Sequence, residues 1–110
     1  MVRYVPDRGD LIWATLSGEG HEQSGRRPAL VLTSAKYNKI TGLAIVCPLT
    51  TKSKPYPFVV PLVVKGKTGF VLCDQVRILD LKSRKISFID KVADHIIQNV
   101  QKYIVLLITR

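Results

Sequence analysis

The chain is poor in the residues that build metal centres and covalent scaffolds. Its 110 residues include two cysteines and two histidines. Cys47 and Cys73 each lie inside an apolar run, and no CxxC pair or ligand-spaced His/Cys set occurs. A zinc site and a disulfide framework are therefore excluded, and the thiols read as small core residues in a reducing compartment. His21 and His95 stand alone, one in a loop and one in a helix, so no metal is expected. No GxxxxGK[ST] and no strand-linked GxGxxG is present, which removes the phosphate-cradling nucleotide folds. The most apolar run, 104–108, is far too short to cross a bilayer. The opening residues MVRYVPD lack the apolar core of a secretion signal. The expectation is a soluble, cytoplasmic protein with no cofactor.

Acidic residues are also scarce. Eight Asp plus Glu face 17 Lys plus Arg, a net charge of +9. Such an excess suits a polyanionic partner, nucleic acid first among them, because clustered cations release condensed counterions from phosphates. The plainer reading is a protein of high pI with no nucleic-acid role. What the chain has in quantity is apolar residues, 46% of the total. That suffices for one core, and the length suits one domain over 1–110.

Short β-forming runs dominate. Residues 10–16 (DLIWATL), 29–33, 43–49, 57–64, 70–73 and 86–88 read as strands, with 74–79 as strand or bent continuation. Pro48 fits a strand end, and Pro61 marks its strand as an edge or a bulge. Residues 34–42 allow one helical turn closed by Gly42. Asp90 reads as the N-cap of a helix over about 91–108, with Val92, Ile96, Val100, Tyr103 and Leu107 at helical spacing. Its apolar stripe is wider than one packing face needs, which points to a subunit interface or to a cover of loops. Trp13 reads as a core or barrel-wall residue. Many short strands with one terminal helix describe a mainly β (α+β) fold, a small barrel or half-open barrel.

The loop 17–27 carries His21, Glu22, Arg26 and Arg27 and runs into the apolar strand from Ala29. A polar loop anchored to a rigid strand is a common mount for function. The alternative is a solvated hairpin that is basic at one end. Thr50 and Thr51 follow the 43–49 strand, and Asp74 and Gln75 follow the 70–73 strand. If these strand ends converge, the site holds a carboxylate, a guanidinium, a hydroxyl and a basic rim. Such a set can cleave a phosphodiester: a base takes the proton of the attacking oxygen, and a cation and a hydroxyl steady the phosphoryl charge. RNA supplies its own nucleophile, the 2′-OH, so no metal is required.

Four segments taken in order carry a specific resemblance: Tyr4-Val5-Pro6-Asp7-Arg8-Gly9-Asp10-Leu11-Ile12-Trp13, the run from His21 through Arg27-Pro28 to Leu32, Cys47-Pro48-Leu49-Thr50-Thr51, and Val71-Leu72-Cys73-Asp74-Gln75-Val76-Arg77. Together they resemble the MazF/PemK-type toxins of bacterial type II toxin–antitoxin pairs, well over about residues 3–80 and in outline beyond. The resemblance implies an SH3-like/CcdB-PemK-type barrel with a C-terminal helix, a homodimer, and metal-independent, sequence-specific cleavage of single-stranded RNA that leaves a 2′,3′-cyclic phosphate and a 5′-OH. It also implies a cognate MazE-like antitoxin whose acidic, disordered tail covers the RNA groove. By motif, Arg27 matches the arginine acting on the phosphate, Thr50 the threonine bonding it, and Glu22 the carboxylate proposed as base. Gln23, Arg26, Thr51, Lys52, Lys54, Asp74, Gln75 and Arg77 are the expected RNA contacts. The PemK branch pairs an aspartate matching Asp74 with an arginine where this chain has Leu72, so Glu22, Arg27 and Thr50 are favoured as the catalytic set. Two competitors stand beside this reading. One is a non-catalytic nucleic-acid-binding barrel. The other is a CcdB-like topoisomerase poison, which the tryptophan-free C-terminal end argues against.

Overall fold

A computed structural model describes residues 3–16, 25–52 and 57–109. Its strands are β1 (Asp10–Leu16), β2 (Gly25–Val31), β3 (Leu43–Thr50), β4 (Val59–Val64), β5 (Lys67–Leu72), β6 (Arg77–Asp80) and β7 (Ser87–Lys91). Helix α1 (Ala35–Thr41) sits between β2 and β3, and α2 (Asp94–Thr109) follows β7. The antiparallel order is β4-β5-β3-β2-β1-β7, with β6 also paired to β3. The sheet curls into a half-barrel with a C-terminal helix, as the strand pattern and the family resemblance both imply.

Strand alternation sorts the apolar residues into two cores on opposite faces of the sheet. Leu11, Leu30, Cys47, Leu49 and Val71 point one way and pack with Ile97 and Val100 of α2. Ile12, Ala14, Ala29, Val31, Ala44, Val46 and Leu79 point the other way and line the inner face, closed by Leu81 and Ile86. Burying each of the larger side chains contributes about 1.5–3 kcal/mol. Both cysteines are free and fully buried. Burial pushes the Cys73 thiol up to about 12, with the Asp74 charge adding to it, and burial raises Cys47 further still. Neither is a nucleophile at neutral pH.

Local chemistry explains most element ends. Ser34 caps α1 by accepting from the Tyr37 N–H at 3.3 Å. Gly42 ends it in the left-handed region, its N–H returning to the Asn38 carbonyl. The β4–β5 hairpin turns on Lys65 and Gly66, both at positive φ (50° and 79°), which lets β5 start at Lys67, earlier than the expected 70. Pro61 lies in the outermost strand, where its missing N–H costs no ladder bond. Pro48 does not end β3. It pairs with Ala29 of β2, and the strand continues to Thr50 by pairing with β5.

The expected helix start at Asp90 is wrong. Asp90 lies in β7, opposite Leu11, and α2 begins at Asp94. Pairing with β1 gives the backbone of 87–91 its partners, and this tertiary ladder overrides the local capping signal. Lys91 helps to hold it there, donating to buried Asp10 at 3.1 Å and to Asp7 at 3.5 Å. Burial alone would lower the Lys91 ammonium, but its hydrogen bond to Asp10 and the two carboxylate charges raise it.

Asp7 joins the N-terminal lead to α1. Its carboxylate accepts from the Ala35 N–H at 2.8 Å and the Arg8 N–H at 2.9 Å. The Ala35 bond is the main reason its pKa lies below the ordinary value, outweighing the opposing effect of burial, with the Arg8 N–H and Lys91 adding to it. A depressed folded-state pKa stabilises the fold above the unfolded value of about 3.9 and loses that contribution as pH falls through the folded value. Thermal stability is therefore expected to drop below about pH 4, and Asp7→Asn to flatten that limb. An equally steep acid limb in Asp7→Asn would assign the loss to other carboxylates.

Candidate functional site

Two registers decide where the expected site residues stand. Val46 of β3 is flanked by Val31 of β2 on one side and Arg77 of β6 on the other. Ala29 pairs with Pro48 as the last pair of that ladder, and β3 then passes to β5 at Leu49–Thr50, with Arg27 and Thr50 each two residues beyond that pair along its own strand. Alternation then places Arg27, Thr50 and Arg77 on the inner face of the sheet, beyond Ala29 and Val46. The inner face thus grades along its length from apolar, at Ala44 and Leu79, to cationic and hydroxylic. Arg27 is half-buried beside Ala14, and Thr50 is 6% exposed.

The Thr50 hydroxyl accepts the Lys52 N–H at 3.2 Å. One of its two lone pairs is thereby engaged, and its hydrogen can be turned to donate toward an anionic oxygen. Thr51 and Lys52 follow on the bend and are exposed. Along β3, pairing passes from β6 at Leu43–Val46 to β5 at Leu49–Thr50. Residues 73–76 bridge that break, which sets exposed Asp74 and half-buried Gln75 beside Thr50's end of the strand. Phe58, which precedes β4, packs on the α2 side of the sheet. Its backbone is held at φ 63°, a costly conformation for a bulky residue. Its carbonyl accepts from the Cys73 N–H at 3.0 Å, and its ring meets Tyr103 of α2 edge-on at 5.7 Å.

Arg26 does not join this group. As Arg27's neighbour in a strand it faces the opposite side, where its guanidinium lies 6.0 Å from the Trp13 ring and donates to the Ser87 hydroxyl at 3.3 Å. Trp13 is accordingly not a core residue. It is 39% exposed, because α2 covers Leu11 and Leu30 but stops short of the next row of the sheet. Glu22 and Gln23, with His21, and Lys54 lie outside the described residues. Sequence reasoning missed Trp13 and Arg26 as an exposed cation–aromatic pair, although starting β2 at Gly25 would have set Arg26 against Thr15 and Pro28 against Trp13.

The curled sheet, the packed terminal helix and the cationic end of the inner face define a small antiparallel half-barrel with a basic mouth. The profile of the PemK-like, MazF-like toxins of type II toxin–antitoxin systems matches residues 7–108, and the chain belongs to that family. It is 42% identical over 107 residues to the endoribonuclease toxin MazF of Escherichia coli K12, covering 96% of both chains. It also superposes on the crystal structure of MazF from Deinococcus radiodurans with a TM-score of 0.90 and 42% identity, over 98% of this chain and 100% of that one. The MazE–MazF complex of the same organism matches with a TM-score of 0.84 and 40% identity, over 97% and 98% of the two chains.

Proposed function

We propose that this protein is an endoribonuclease toxin that cuts single-stranded RNA at a short recognised sequence by attack of the ribose 2′-OH on the adjacent phosphate. The products are a 2′,3′-cyclic phosphate and a 5′-OH. The observation that carries the reading is the β2–β3 register, which sets Arg27 and Thr50 on one face of the sheet. Between them they offer a fixed cation and a donor hydroxyl to the same phosphate. The Arg27 guanidinium takes the phosphoryl oxygens, whose charge grows in the transition state, and Thr50 donates a second hydrogen bond. Glu22 is the proposed base for the 2′-OH proton. Thr51, Lys52, Asp74, Gln75 and Arg77 border the same end and are the proposed base and backbone contacts, with Gln23, Arg26 and Lys54.

The working unit is a homodimer. Ile108 (76% exposed) and Val105 (46% exposed) leave an apolar face on α2 that a second copy would cover, and light scattering at micromolar concentration should give twice the chain mass. A cognate antitoxin with an acidic tail neutralises the +9 charge and silences the toxin in the cytoplasm. No helix among the described residues is long and apolar enough to cross a membrane.

The test is to incubate the purified protein with a long RNA in EDTA and map the ends. Discrete cuts bearing cyclic phosphates are expected; uncut RNA would leave only a cationic binding barrel. Thr50→Val keeps the shape and removes the hydroxyl. It should lower cleavage by about 10²-fold while moving the thermal midpoint by no more than a few degrees.

A further inference from the structure

Two hollows adjoin on the side of the molecule served by the N-terminal lead and residues 81–87. The smaller, about 140 Å³, includes Arg3, Lys39 and Lys82 in its lining. The larger, about 420 Å³, includes Arg3, Arg26, Arg84 and Lys85. They share Arg3, Tyr4 and Ile86, and among the described residues no carboxylate lines either one. Three of the arginines are held by protein groups. Arg3 donates to the Leu81 and Lys82 carbonyls, Arg84 to the Thr15 carbonyl, and Arg26 to Ser87 while lying over Trp13. The three lysines are exposed. The shared Tyr4 is 36% exposed, its hydroxyl fixed on Asp10 at 2.6 Å and its ring edge-on to Phe88 at 6.1 Å.

We infer that these hollows form one continuous track for the backbone of single-stranded RNA outside the cleaved dinucleotide. The inference rests on the nuclease reading above. The track starts at Arg26, and the next residue is Arg27, whose side chain serves the opposite face. A strand leaving the scissile phosphate past the β1–β2 end therefore meets the guanidinium of Arg26 first, then Arg84 and Lys85, and then the hollow of Lys82 and Lys39. Cations held in advance and an aromatic ring suit phosphates with a base stacked between them, and this works for any sequence. The track contributes affinity and steering, and the inner face contributes chemistry.

The test compares wild type with the triple variant Lys39→Gln/Lys82→Gln/Lys85→Gln, which leaves every proposed catalytic and base-contacting residue in place. Each protein is given the mapped cut site as a minimal oligonucleotide and as part of a long single strand, over a salt series. On the long strand the variant should lose about tenfold in kcat/KM at low salt, and its log–log salt slope should fall by about two. On the minimal substrate the two proteins should agree within about twofold. Lys85→Glu alone should move the long-strand rate in the same direction by less. Equal rates on the long strand, or an equal loss on both substrates, would overturn the track. So would a variant that cleaves normally but binds an acidic antitoxin peptide more weakly, because the surface would then belong to that partner. If wild type cuts neither RNA, the nuclease reading itself fails and the track goes with it.

Discussion

Arg27→Ala is expected to reduce RNA cleavage by about 10²–10³-fold or more, the scale of losing one preorganised donor at a developing oxyanion. The fold should survive. Arg27 is half-buried at the open end of β2, and its contribution to the β1–β2 ladder is a backbone pairing with Ala14 that alanine retains. Arg27→Lys separates charge from geometry. A lysine keeps the cation but lacks the planar fork that meets two phosphoryl oxygens at once, so only a small part of the activity should return. The measurement is single-turnover cleavage beside a thermal melt. Full activity in Arg27→Ala with an unchanged melt would remove Arg27 from the chemistry. A collapsed melt would mark it as structural.

The largest effect on stability is expected at Asp10. Its carboxylate is buried, its side chain 7% exposed, and it gathers three donors: the Tyr4 hydroxyl at 2.6 Å, the Asp7 N–H at 2.9 Å and the Lys91 ammonium at 3.1 Å. These groups come from the N-terminal lead and from β7, so one acceptor fastens both to the start of β1. Lys91 is half exposed, and water screens that ion pair. The loss therefore falls mainly on the Tyr4 hydroxyl and the Asp7 amide, which alanine would leave without their acceptor. Asp10→Ala should cost about 2–4 kcal/mol, a fall in thermal midpoint of roughly 10 °C or more for a domain of this size. Asp10→Asn keeps one acceptor oxygen and should recover part of it. The same contacts explain why the Tyr4 phenol is held far above its ordinary pKa, by burial first and then by the Asp10 hydrogen bond and charge. A melt of Asp10→Ala within a degree or two of wild type would show that the N-terminal lead is fastened elsewhere.

The chain made some of this legible and hid the rest for physical reasons. Residues 10–16 read as a strand from alternation and β-propensity, and β1 spans Asp10–Leu16. Gly42 is legible as the end of the helical turn in 34–42, because a left-handed C-cap acts within a few residues, whereas the seven-residue length of α1 and its Ser34 cap are not. Pro61 marked an edge or a bulge because its missing N–H rules out a regular central place, and β4 is an edge strand. Asp90 misled, since a good capping residue can be claimed by a strand whose partner lies far away in the sequence. Trp13 misled in another way. Whether a sheet residue is covered depends on where α2 ends over that sheet, and nothing near Trp13 encodes that.

The site divides along the same line. The surplus of cations and the run of short strands are properties of single segments, and the chain alone determined them, whereas the family resemblance of the segments that carry them singles out Arg27 and Thr50. Which face each residue occupies was not settled locally. Arg26 and Arg27 are neighbours, yet one lies over Trp13 and the other shares the inner face with Thr50. The separation of Arg26 from Arg27 follows from strand alternation, and the shared face of Arg27 and Thr50 follows from the β2–β3 register, which is fixed only when two strands bury their apolar faces together.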